Sequence, residues 1–144
     1  MAAGSESEFS AGGVVVRGGD CIVIVPTRRT AHGSEVLALP KGHPDADESA
    51  ADAALREVRE ETGVDATLVE KLGDIRYWYM REGRRIVKVV SFYLLDYVSG
   101  ELEDHDQEVE HAEWMALDEA ARRLTYKGER HMAAAALSRT GKPQ

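Results

Sequence analysis

The run Gly42-His43-Pro44-Asp45-Ala46-Asp47-Glu48-Ser49-Ala50-Ala51-Asp52-Ala53-Ala54-Leu55-Arg56-Glu57-Val58-Arg59-Glu60-Glu61-Thr62-Gly63-Val64 decides how this chain is read. Its first part carries glycine and proline and reads as a loop from Lys41 to Asp47. Ser49-x-x-Asp52 is a capping-box-like start, and Ala50, Ala51, Ala53, Ala54 and Leu55 favour helix. Gly63 supplies the C-terminal stop. Ala51, Leu55, Val58 and Thr62 form a stripe at helical spacing that can face a sheet. Glu57 stands three residues before Glu60 and four before Glu61, so the three carboxylates crowd one helical face. Like charges at that spacing repel, and a hard divalent cation with its preference for oxygen ligands is the natural partner.

Working outward, Ala11 to Arg17 and Cys21 to Pro26 are short β-rich runs joined by a hairpin at Gly18-Gly19-Asp20. Thr27 to Ser34 reads as a loop, and Glu35 to Leu39 as a short strand stopped by Pro40. Beyond the helix, Ala66 to Met80 and Arg85 to Val98 form a long antiparallel hairpin about Arg81-Glu82-Gly83-Arg84. Ile86, Lys88, Val90, Phe92 and Leu94 share one face of its second strand, so Lys88 interrupts an apolar row. Ser99 to Val109 is an acidic loop, His111 to Met115 a strand, and Leu117 to Arg123 and Gly128 to Leu137 are helices. Residues 1–8 are expected to be disordered, 9–138 to form a single domain and 139–144 to be a tail.

A chain of 144 residues with 43% hydrophobic and 31% charged residues is an ordinary globular composition. A net charge of −8 argues against general affinity for nucleic-acid backbones or anionic membranes. The lone Cys21, within an apolar run, permits no internal disulfide and reads as a buried small hydrophobe in a reducing compartment. The acidic, polar start is unlike a signal peptide, so the expected location is cytoplasmic. His32, His105, His111 and His131 read as surface residues without zinc spacing.

Gly42-x5-Glu48-x7-Arg56-Glu57-Val58-x-Glu60-Glu61-x-Gly63-Val64 resembles the Nudix hydrolase signature at every specified position, and the flanking strand order resembles the family from about Phe9 to Leu137. The resemblance implies an α+β fold, an α/β/α sandwich in which a mixed β-sheet lies between helices and the signature forms a catalytic loop–helix–loop. It also implies hydrolysis of a nucleoside diphosphate linked to another moiety, with Mg²⁺ or Mn²⁺ as cofactor and in-line attack by water. Carried over by position, Glu57, Glu60 and Glu61 are metal ligands, and Glu57 is alternatively the group that orients or deprotonates water. Lys41 lends a backbone carbonyl to the metal, and Arg56 pairs with a helix carboxylate to aim it. Glu48 is structural. The family's further loop glutamate falls on Glu108, with Glu110 as runner-up.

Leu39-Pro40-Lys41-Gly42-His43 resembles the branch that hydrolyses diadenosine polyphosphates, where a tyrosine lies beyond the signature; Tyr77 and Tyr79 fill that region. ADP-ribose hydrolases tend to have a proline there, and none occurs between Pro44 and Pro143. Tyr77, Trp78 and Tyr79 are candidates for stacking on adenine, His43 and Lys88 for contacting phosphate, and Tyr126 for contacting a base. The leading expectation is asymmetric cleavage of diadenosine tetraphosphate to ATP and AMP. A house-cleaning pyrophosphohydrolase of oxidised or non-canonical nucleoside triphosphates is the alternative within the fold. A non-catalytic nucleotide-sensing domain is the alternative outside catalysis. The expected partner is a nucleotide or dinucleoside polyphosphate, with neither nucleic acid nor membrane.

Overall fold

A computed structural model of the protein describes residues 5–30 and 32–140. The elements are β1 (Ser5–Arg17), β2 (Asp20–Pro26), β3 (Lys41–Gly42), α1 (Ala50–Thr62), β4 (Val64–Arg81), β5 (Arg84–Gly100), β6 (Val109–Ala116), α2 (Leu117–Arg123) and α3 (Lys127–Thr140). A single 3₁₀ turn, Leu102–Asp104, interrupts the acidic loop. The sheet runs β4-β5-β1-β2-β6, with β3 attached to β1. Only the β1–β5 contact is parallel, so the sheet is mixed.

Alternation along the strands builds two cores. Val14 and Val16 face one way with Phe92, Leu94 and the α2–α3 residues Leu117, Leu124, Ala133 and Ala136. Val15 faces the other way, with Ile22, Leu95, Val64 and Val58 of α1. Helices therefore cover both faces, as the resemblance implies. The stripe of α1 is turned by about one residue from the expected one. Ala53, Ala54, Val58 and Thr62 are the buried residues, while Ala51 and Leu55 are only half-buried. Ser49 accepts the Asp52 N–H at 3.1 Å, and Gly63 ends the helix in the left-handed region at φ 79°.

The expected disordered start is corrected at Ser5–Glu8, which form the first part of β1 in parallel register with Arg85–Lys88. The ladder satisfies their backbone, and Glu6 and Glu8 meet Arg84 and Arg81. Met1–Gly4 lie outside the described residues. Arg139 and Thr140, expected in the tail, complete α3, and 141–144 lie outside the described residues.

The expected strand Glu35–Leu39 is also corrected: it contributes one bridge, Ala38 to Ile24. The segment runs through the gap where β1 and β2 diverge, paired with β2 at Ala38 and with β1 at Lys41–Gly42. Side chains take further N–H groups along it: Leu37 by Thr125 Oγ1 at 2.8 Å, Leu39 by Glu129 Oε1 at 2.8 Å, and Lys41 by Glu61 Oε1 at 3.0 Å. A strand that can serve two diverging neighbours and a helix forms no continuous ladder. Cys21 is buried, and burial pushes its thiol up to about 12, so it is chemically inert. Among the described residues, no helix is long and apolar enough to cross a membrane.

Candidate active site

Arg56 organises the loop and helix. Its Nε and Nη2 donate to the two oxygens of Glu48 at 2.9 and 3.0 Å, and Nη2 also reaches the His43 carbonyl at 2.9 Å. Nη1 donates to Glu57 Oε2 and to Glu60 Oε1, each at 3.2 Å. Glu48 in turn accepts the Asp45 N–H at 2.9 Å, so one bidentate pair ties the loop to the helix. The guanidinium holds the Glu48 carboxyl below its ordinary range. Losing this hub leaves partly buried carboxylates without a partner. Arg56→Ala is expected to lower unfolding stability by about 2 kcal/mol in urea titration and to lower kcat about 10²-fold, with Arg56→Lys intermediate because a lysine cannot make the fork.

Glu57 and Glu61 line one cleft together with Glu108, Lys41, Gly42, His43, Lys88, Ser10 and Arg28, a cavity of about 440 Å³. Burial raises the Glu57 carboxyl, against the pull of Arg56 and with the push of Glu60 and Glu108. Burial pushes Glu61 up to about 8, helped by Glu57 and Asp106 and opposed by the Lys41 N–H. A Cβ on Gly42 would collide with the carboxyl carbon and both oxygens of Glu57, so this glycine is the cradle of that carboxylate. Charge-repelling, half-buried oxygen donors beside a backbone turn fit a hard divalent cation. Among the described residues, no three ligating side chains already converge on a point, because Glu57 and Glu60 lean on Arg56 while Glu61 is held by Lys41.

Lys88 lies on the wall shared by the cleft and a second cavity of about 710 Å³, and burial lowers its ammonium. That second cavity also holds Lys41, Tyr77, Tyr79, Tyr126, Arg28, Arg76 and Glu129. Tyr77 and Tyr79 lie side by side with ring centroids 6.4 Å apart, and Tyr79 donates to Glu8 at 2.8 Å. Trp78 points to the opposite sheet face, 56% exposed beneath Arg85, which removes it from the stacking candidates. His43 donates through Nδ1 to the Phe9 carbonyl at 2.9 Å, leaving only Nε2 of its ring nitrogens free for the cleft. Glu110 pairs with Arg29 at 2.9 Å and does not line the cleft, whereas Glu108 does.

Sequence reasoning missed Arg28, Glu8 and Glu129. Only Glu129 left a signal: it shares the buried face of α3 with Ala133 and Ala136, four and seven residues on.

Residues 8–136 match the family described as NUDIX domain. The chain belongs to the Nudix family. It is 40% identical over 131 residues to MutT4 of Mycobacterium tuberculosis, covering 88% of this chain and 53% of that protein. It is 37% identical over 87 residues to the asymmetrical bis(5'-nucleosyl)-tetraphosphatase of Rattus norvegicus, covering 56% of each. The chain thus spans about half the length of these relatives. A NUDIX hydrolase structure from Nitrosomonas europaea superimposes with a TM-score of 0.74 at 20% identity, covering 92% of this chain and 90% of that one. At that identity the superposition speaks for the Nudix fold alone.

Proposed function

We propose that this Nudix domain hydrolyses a phosphoanhydride in a nucleoside diphosphate linked to another moiety, and that diadenosine polyphosphates are its substrates, the tetraphosphate giving ATP and AMP. One observation carries the reading. A cavity walled by Tyr77, Tyr79 and Tyr126 continues, past Arg28, Lys41 and Lys88, into the cleft of Glu57, Glu61 and Glu108. A base fits against the aromatic wall, a phosphate chain fits along the basic seam, and the scissile phosphorus then lies over the carboxylates.

The carboxylates of Glu57, Glu60, Glu61 and Glu108 and the Lys41 carbonyl would hold Mg²⁺ or Mn²⁺. When bound, such an ion neutralises phosphate oxygens and acidifies water. The chain's own part is positional. Arg56 aims Glu57 and Glu60, the Lys41 N–H fixes Glu61, and Lys88 and Arg28 supply fixed positive charge to a polyanion that acidic side chains would repel. As the alternative to binding the cation, Glu57 would take a proton from the attacking water, a role that its burial-raised carboxyl supports.

The likeness to MutT4, a relative named as a mutator protein, favours a second reading, pyrophosphohydrolysis of oxidised or non-canonical nucleoside triphosphates. One experiment separates the two. The protein is incubated with Mg²⁺ and diadenosine tetra-, penta- and hexaphosphate, 8-oxo-dGTP, dNTPs, ADP-ribose and NADH, and the products are resolved. AMP plus ATP from the tetraphosphate is the expected result. Preferred turnover of an oxidised dNTP with release of pyrophosphate selects the second reading, and tight binding without any turnover points to a sensor.

A further inference from the structure

We propose that Glu129 is a positioning residue that acts through Lys41, linking the aromatic cavity to the carboxylate cleft; the inference rests on the function proposed above. Glu129 stands in the first turn of α3, and its side chain is 4% exposed. A buried carboxylate is costly unless its oxygens are satisfied, and these two are. Oε1 accepts the Leu39 N–H at 2.8 Å, and Oε2 meets the Lys41 ammonium at 2.9 Å. The acid therefore grips a single strand segment twice, once by its backbone and once by a side chain two residues later.

Lys41 is held from both ends. Its backbone N–H donates to Glu61 at 3.0 Å, while its ammonium is drawn to Glu129 on the far side. Its side chain, 16% exposed, lines both cavities, so the ammonium stands at their junction. An ammonium has three donors, and Glu129 takes one, leaving the others for a phosphate that spans the junction. Without Glu129 the four-carbon stem has no fixed direction, and the carboxylate cleft that Lys41 also lines is open to it. Glu129 thus keeps the ammonium where the phosphate chain passes and out of the place where the cation-binding carboxylates lie.

A double-mutant cycle tests this. ADP binding is measured by equilibrium dialysis in EDTA on the wild type, Glu129→Gln, Lys41→Met and the double variant, alongside kcat and KM of the Mg²⁺-loaded protein and thermal midpoints. Glutamine keeps an oxygen for the Leu39 N–H but loses the charge that orients Lys41. Each single variant is expected to weaken ADP binding about tenfold, and the double variant also about tenfold, because both remove the same interaction. In Glu129→Gln, KM is expected to rise about tenfold with kcat within about threefold.

A double variant weakened about 100-fold means that Glu129 acts independently of Lys41 and overturns the proposal. So does wild-type ADP affinity in a folded Glu129→Gln. Failure of the wild type to bind ADP in EDTA overturns this proposal, while the function on which it rests stands or falls with the product assay above. If Glu129→Gln unfolds, Glu129→Asp replaces it in the cycle. That variant keeps the charge at shorter reach and is expected to show the same non-additivity with a smaller single effect; additivity there overturns the proposal equally.

Discussion

Glu57→Gln and Glu61→Gln are each expected to lower kcat by about 10²–10⁴-fold while leaving the protein folded. The two halves of that expectation have one cause. Both carboxyls are raised by burial and by neighbouring carboxylates, so their charges work against the folded chain. A glutamine of the same shape removes that repulsion, keeps an oxygen for the Lys41 N–H at position 61, and loses the anionic oxygen that a cation requires. The thermal midpoint at pH 8 should therefore stay level or rise as the rate falls. Steady-state kinetics and thermal melts on the same preparations check this, and near wild-type rates in either variant would remove the residue from the site. Glu108→Gln is expected to fall between them and the wild type. Glu110→Gln, paired with Arg29 away from the cleft, should stay within about twofold.

What the sequence made legible follows from how local each interaction is. The cap at Ser49, the stop at Gly63 and the hub at Arg56 involve partners at most 13 residues apart, so spacing alone carries them. The hairpin of β4 and β5 was legible for the same reason, since its turn and alternation lie in one stretch. The interactions that were not legible join distant segments. Glu129 meets Leu39 across 90 positions, and no pattern near either residue announces the other. Ser5–Glu8 carries no apolar alternation and reads as a disordered polar start. Its strand character comes from the open edge of β5 and from Arg81 and Arg84, more than 70 positions away. The segment Glu35–Leu39 failed in the opposite sense. Its apolar residues are buried as a strand's would be, but β2, Thr125 and Glu129 of α3 divide its hydrogen bonds. Apolar pattern reports burial, and it reports ladders only where a continuous partner exists.

Divalent-cation affinity is expected to tighten on the order of 100-fold between pH 6 and pH 8 and then level off. Glu61, pushed up to about 8, is largely neutral at pH 7 in the folded protein, whereas in the unfolded chain the same carboxyl ionises near 4.5. The folded state thus binds more protons across the window from 4.5 to about 8, so this group's contribution to stability falls as pH rises through it. A cation needs the ionised carboxylate, and below about pH 8 its binding must expel the proton from Glu61. Each pH unit then adds up to about a factor of ten in affinity. Calorimetric titration with Mn²⁺ at pH 7, in two buffers of different ionisation enthalpy, should report close to one proton released per bound ion. Glu61→Gln should abolish that release and flatten the pH dependence of whatever affinity remains. A wild-type affinity that does not change between pH 6 and pH 8 would show that Glu61 is already ionised in the folded protein, and that burial is offset there by more positive charge than Lys41 provides.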